Sequence, residues 1–381
     1  MARTANPFRP GFNAAPPAFV GRDRLLDAVR EALAVAALDG RTPRPIVITG
    51  TRGVGKTVAL GEAAVLAATD HGWPTVHVEV RPGRDFTPLL TERIVAAGHL
   101  LQHTTADDRR HPVVTGGRIG ASALGVGGEV EVHLERREPG PADPLEAALR
   151  GTMRVAMAEG AGLVLTLDEV QYAQRAELAG LTAILQEHMA DGWPLVVLVA
   201  GLPSIREPRR TVTYLERGEW HELGLLTRDE AEQALREPAA DAGRPLEPDA
   251  TRELATASGG YPYAVQLYGH HAWRASAGSD RILREHAVAA LGAARRELEE
   301  GLYVARWNDA SEREREYLGA VARVLARTGE ATGGAVAAEL GKAATEVSYL
   351  RDRLIKKGTL YTEGPRLLFI TPGMAEWVAG R

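Results

Sequence analysis

Eight residues, Gly50-Thr51-Arg52-Gly53-Val54-Gly55-Lys56-Thr57, constrain this chain more than any other stretch. They fit the pattern G-x-x-x-x-G-K-[ST]. Upstream, Pro45-Ile46-Val47-Ile48-Thr49 is a short, apolar, β-branched run that predicts a strand buried in a parallel sheet. Downstream, Ala59 to Ala68 predicts a helix. The order strand, glycine turn, helix has a chemical purpose. Glycines let the backbone turn back on itself and aim successive N–H groups at phosphate oxygens. The helix that starts there adds its positive end. Lys56 is placed to reach the β- and γ-phosphates, and the Thr57 hydroxyl to ligate Mg²⁺. The chain reads as an α/β protein that binds a nucleotide.

A second chemical motif supports this. Gly162-Leu163-Val164-Leu165-Thr166-Leu167 is an apolar strand that ends in Asp168-Glu169. Open α/β sheets hold ligands at the carboxyl ends of their strands. Asp168 is therefore expected to face Mg²⁺ through water, and Glu169 to orient or deprotonate the attacking water. Further strands are expected at Thr75–Val80, Leu195–Ala200 and Trp220–Leu223, with helices at Asp23–Leu38, Pro88–Leu101 and Leu145–Ala158. Between the second strand and the acidic strand, two segments alternate with period two about Gly127-Gly128. They predict a hairpin inserted at 113–135, read as an interaction device.

Length and composition set the outer limits. A chain of 381 residues allows two or three domains. Its net charge of −5 argues against coating nucleic acid by bulk electrostatics, but leaves room for a local basic patch. Without cysteine there are no disulfides, thiolate metal sites or cysteine nucleophiles. No apolar run reaches the roughly 20 residues of a membrane span, and the N-terminus lacks the apolar centre of a signal peptide. A cytoplasmic location is expected.

Residues 1–18 read as an extended arm. Phe19-Val20-Gly21-Arg22, at its distance upstream of the glycine loop, is expected to line an adenine pocket. Thr227-Arg228-Asp229-Glu230 is a capping box that opens a run of helices to about Gly301. Ser311-Glu312-Arg313-Glu314 caps another helix, followed by Thr332–Leu340, Ala344–Lys357, Leu360-Tyr361 and a strand beginning at Arg366. Three helices and a β-hairpin in this order predict a winged helix-turn-helix whose third helix reads DNA. Lys342, Arg351, Arg353, Lys356 and Lys357 surround that helix, and Arg366 lies on the wing. Glu346, Asp352 and Glu363 dilute their charge, so a protein partner is as well served as double-stranded DNA.

On Phe19–Arg22, Gly50–Thr57, Asp168-Glu169-Val170-Gln171, Gly260-Tyr261-Pro262 and the C-terminal pattern, the chain resembles an AAA+ ATPase. It is most similar to the group that holds origin-recognition initiators, archaeal-type ATPases and STAND signalling ATPases. The resemblance implies a P-loop αβα sandwich on a parallel five-stranded sheet at 19–226. It also implies a helical lid at 227–308 and a winged helix at 309–381. ATP or ADP with Mg²⁺ would lie between base and lid, touching Phe19, Val20, the loop from Gly50 to Thr57, Val58 and Pro262. Pro262 matches the Gly-x-Pro of the STAND group, where the proline helps place the adenine end. Hydrolysis in this family is usually completed by an arginine from a neighbouring subunit, which implies a homo-oligomer. Of Arg206, Arg209, Arg210 and Arg217, the favoured donor is Arg217, on a short helical turn before the last strand. The fourth strand lacks the usual polar Asn, with Ser204 beyond a proline, and no arginine follows the lid glycine. Both departures favour a nucleotide-controlled switch over a fast motor.

Overall fold

Five short strands pair into one parallel sheet in the computed structural model, which describes residues 5–11, 18–104, 143–207 and 211–381. They are β1 (Ile46–Gly50), β2 (Thr75–Glu79), β3 (Leu163–Asp168), β4 (Leu195–Gly201) and β5 (Glu219–Leu223). Their order is β2-β3-β4-β1-β5. Every residue of β1, β3 and β4 is buried. That accounts for their unbroken apolar sequences, since a parallel strand covered on both faces has no polar side. β4 separates β1 from β3, with Thr49 opposite Gly201 and Leu167 opposite Val199. Gly50 and Asp168 therefore reach the same carboxyl edge of the sheet from either side of one strand.

Helices α1 (Asp23–Leu38), α2 (Lys56–His71), α3 (Thr87–His103), α4 (Pro144–Ala158) and α5 (Arg175–Glu187) cover the sheet. α1 turns Leu25, Val29 and Leu33 inward at helical spacing, and leaves Leu26 and Val35 only partly buried. α3 packs on α4 through Leu90, Ile94, Leu145, Leu149 and Met153. The hairpin expected at 113–135 lies outside the described residues. A four-residue helix, α6 (Thr213–Glu216), leads into β5.

The second half is helical. The capping box at Thr227 and Glu230 forms as expected and opens α7 (Arg228–Asp241). Then come α8 (Pro248–Ser258), α9 (Pro262–Ala275) and α10 (Arg284–Leu298). The helical path does not end at Gly301. It passes through a π-turn at Glu299–Tyr303 into α11 (Val304–Asp309), because the wider turn absorbs the irregularity without breaking the rod. Next are α12 (Glu312–Thr328), α13 (Gly333–Glu339) and α14 (Ala344–Lys356). An antiparallel hairpin follows, β6 (Leu360–Glu363) with β7 (Arg366–Phe369), and the chain closes with α15 (Met374–Ala379).

One apolar core runs through this whole half, from Leu235 and Trp273 to Leu354 and Val378. Tyr303, fully buried at the π-turn, stacks edge-on against Trp377 at 5.6 Å. Phe8 of the N-terminal arm enters the same core and is 1% exposed. Its ring occupies the space beside Gly269, where an added methyl group would lie 2.5 Å from it. Asn6 pins the arm by donating to the carbonyl of His270. The largest helix among the described residues remains short of a membrane span in length and apolarity.

Candidate functional site

The glycine loop leaves β1 at Gly50 and enters α2 at Lys56. Gly53 and Gly55 have φ of 82° and 95°, values an L side chain rarely adopts, and they fold the backbone round the start of the helix. Lys56 is 5% exposed. Its Nζ donates to the carbonyls of Gly50 (3.0 Å) and Thr51 (2.9 Å), so the ammonium lies over the loop. Burial lowers its pKa, while Glu169 and Asp168 counter that by favouring the charged form. A charge kept in so dry a place is suited to an anionic ligand.

Across the sheet edge, the Thr57 hydroxyl donates to Asp168 Oδ2 at 2.5 Å, and the Glu169 amide donates to Asp168 Oδ1 at 2.7 Å. Burial pushes the Asp168 carboxyl above its usual range. These two hard oxygen donors fit Mg²⁺, which takes few ligands from protein and completes its shell with water and phosphate. The described residues offer no group of three or more His, Asp or Glu that would form a protein-only cage. Glu169 has φ 54°, the one positive value among the described non-glycine residues. Such strain costs of order 1–3 kcal/mol and persists where surroundings enforce it. The Glu169 side chain is held in turn: the Gln171 amide donates to Glu169 Oε2, and its oxygen accepts from the Leu202 N–H at 3.0 Å, just past β4.

Around these groups lies a cavity of about 930 Å³. Arg52 through Val58 form its floor, with Asp168 and Glu169 beside them. Phe19, Val20 and Pro262 also line it, whereas Gly50 and Thr51 are not part of its lining. Arg22 holds the entry strap by donating to the Gly224 carbonyl at 2.7 Å. Three walls were not foreseen. Arg9 and Gly11 of the arm form one, and His77 of β2 another. Burial, with Arg93 close by, pushes the His77 imidazole down to about 4.

The third wall comes from the C-terminal half. Tyr261 donates its hydroxyl to the Arg52 carbonyl at 3.2 Å, an approach that only a glycine at 53 permits. Arg306 of α11 donates to that hydroxyl at 3.2 Å and to the carbonyl of Gly358. Gly358 sits on the loop itself, where an added methyl would lie 3.2 Å from the Arg52 nitrogen. Arg306 stands far from any motif, and its signal in the sequence is only an arginine within an apolar helical stretch.

The remaining predicted residues are scattered. Arg217 ends α6, exposed, and Arg206 stacks over Trp220 at 4.8 Å. Arg209 and Arg210 lie outside the described residues. Most cations of the third C-terminal helix are paired internally. Arg351 binds Asp352, Lys356 binds Glu207 of the base at 2.6 Å, and Arg366 binds Glu330. Lys357 binds Glu314 at 2.8 Å and lines the cavity, not an outer surface. Lys342 and Arg353 are exposed, the latter over the Tyr349 ring.

Residues 18–198 match the family model described as an AAA ATPase domain. Residues 300–378 match one described as a domain of unknown function (DUF8462). Among solved structures, the chain is similar to the Walker-type ATPase paby2304 of Pyrococcus abyssi. They share 14% identity over 94% of this chain and 96% of that one, with a TM-score of 0.62. It also matches the Aeropyrum pernix ORC1 protein, solved in complex with DNA, at 16% identity over 96% and 93%, TM-score 0.48. The Thermotoga maritima RuvB Holliday junction branch migration motor matches at 17% identity over 92% of each chain, TM-score 0.45. At 14% identity the Pyrococcus likeness is one of fold, and it spans both halves of the chain. No curated protein matches this sequence.

Proposed function

We propose that this chain, built on an AAA ATPase domain, is an ATP-dependent switch whose C-terminal unit is set by the nucleotide. One observation carries the reading: Gly358, at the end of α14, packs against the backbone of Thr51 and Arg52 in the phosphate loop. A nucleotide entering that loop cannot avoid the C-terminal unit. The loop amides and Lys56 would hold the phosphates, and Thr57 with Asp168 would hold Mg²⁺. Phe19, Val20 and Pro262 would flank the base. When bound, Mg²⁺ neutralises charge on the phosphates.

Glu169 is the base we assign to the attacking water. Its carboxylate is engaged by Gln171, which is tied in turn to the exit of β4. A base so occupied is a poor proton acceptor until that bond yields, which suits slow, gated turnover. Arg217, exposed before the last strand, is our candidate for the arginine supplied to a neighbouring subunit's γ-phosphate.

The three helices and hairpin of the C-terminal unit we read as a winged helix-turn-helix. Its output is either duplex DNA or a protein. The pairing of Lys356 with Glu207 ties the third helix to the base, so DNA engagement would require that contact to open. A duplex titration across salt concentrations, with and without MgATP, tests this. A steep log–log slope that appears with ATP supports DNA as the target. A flat response with either nucleotide state leaves the protein-partner reading, and absence of ATP binding overturns the switch altogether.

A further inference from the structure

Arg306 is 8% exposed, lies on the cavity wall, and its Nε–H finds no acceptor. Its two terminal nitrogens reach only neutral oxygens, the Gly358 carbonyl and the Tyr261 hydroxyl. A buried guanidinium normally has a carboxylate, because an uncompensated charge is costly away from water. The same cavity holds Lys56 and Arg52; of its carboxylates, Asp168 and Glu169 are engaged by Thr57 and Gln171, and Asp309 favours the charged form of Arg306 without hydrogen-bonding to it. A buried guanidinium beside the phosphate loop that has only neutral partners of its own is the arrangement expected of a site completed by an anion. The Tyr261 hydroxyl links Arg306 to the carbonyl of Arg52, in the N-terminal half of the phosphate loop. The anion is therefore expected to be the outermost phosphate.

Resting on the nucleotide-switch reading, we infer that Arg306 binds the terminal phosphate of a nucleoside triphosphate. Its planar fork suits a phosphate oxygen pair. Turning toward the phosphate takes Nη1 away from the Gly358 carbonyl, and with it the support of a residue seated on the loop. Arg306 thereby distinguishes triphosphate from diphosphate and reports the difference to the seating of the C-terminal half. No bond is made or broken covalently in this exchange.

The test compares affinity for ADP and for the non-hydrolysable analogue adenylyl imidodiphosphate, both with Mg²⁺. Arg306→Met is expected to weaken the analogue by about tenfold or more, the worth of a charge-assisted hydrogen bond, with ADP little changed. Because the chain lacks cysteine, labels at Leu38→Cys and Glu363→Cys report the distance between the two halves. Analogue but not ADP should shift that distance in the parent, and neither should in Arg306→Met. Arg306→Lys keeps the cation but loses the fork, and decides the matter if Arg306→Met does not fold. Selective weakening of the analogue again supports the assignment. Equal loss of both ligands, or none, overturns it alone. A parent chain that binds neither nucleotide overturns both this inference and the reading beneath it.

Discussion

The Thr57 hydroxyl and Asp168 Oδ2 meet at 2.5 Å, although the two residues stand 111 positions apart. The contact joins the start of α2 to the end of β3 and makes one site of two sequence motifs. Lys56, beside Thr57, lies on the loop's own carbonyls. Lys56→Ala should weaken ATP binding about a hundredfold or more, since it removes charge-assisted bonds that no neighbour replaces. The cradle is backbone, so the fold should persist. Calorimetry together with circular dichroism checks both parts, and unchanged affinity in a folded variant would reject the phosphate-loop assignment.

Glu169→Gln should leave nucleotide affinity nearly intact and slow hydrolysis by about 10²–10⁴-fold, the usual worth of a general base. The new amide can no longer act as a base, while the loop and Lys56 are untouched. Single-turnover measurements separate the two quantities, and hydrolysis at the parental rate would assign Glu169 another role.

His77 titrates differently in the folded and unfolded chain. Its imidazole is pushed down to about 4 by burial, with Arg93 adding to the effect. Between the unfolded value near 6.5 and the folded value, the unfolded chain binds the extra proton. Stability from this residue is therefore full above the unfolded pKa and declines as pH falls through that window, by roughly 2–3 kcal/mol at most. Urea midpoints of parent and His77→Asn, measured from pH 7 to pH 4, should converge as pH falls. Parallel curves would show that His77 contributes nothing to the pH dependence.

Phe8→Ala should destabilise the C-terminal half by about 3 kcal/mol, because the vacated space beside Gly269 cannot close fully. Thermal melts read the loss. An unchanged midpoint would mean that the arm docks without contributing to the core.

Arg217→Ala should reduce hydrolysis by about a thousandfold if the arginine completes a neighbour's site. Mixed with Glu169→Gln subunits, it should regain part of the rate, since a site with an intact Glu169 then receives an intact Arg217. No cost in the single variant, or no recovery in the mixture, removes the assignment.

The sheet was legible because buried parallel strands are written as unbroken apolar runs, as at Leu195–Ala200. The loop at Gly50–Thr57 was legible because backbone geometry demands glycine at fixed spacing. Capping at Thr227 and Ser311 could be read because it is local, with both partners three residues apart. Arg306, Tyr261 and Phe8 were not legible as site or core residues. Their partners lie 52, 209 and 262 positions away, and nothing local distinguishes an arginine that meets a carbonyl from one that meets water. The partner of Lys357 was hidden for the same reason: read beside the third helix as one of its cations, this lysine pairs with Glu314, 43 positions away.

The continuous core from Leu235 to Val378 has a mechanical corollary. Helices that share buried side chains resist moving independently, so a displacement at one end of this half is expected to be felt at the other. This half joins the base at Gly224–Leu226, where Leu226 donates to the Gly260 carbonyl at 2.8 Å and Arg22 donates to that of Gly224. On that reading, a small adjustment beside the phosphate loop is expected to reach the β6–β7 tip as a larger one. Gearing of this kind lets a very small chemical difference be read at the far end of the molecule.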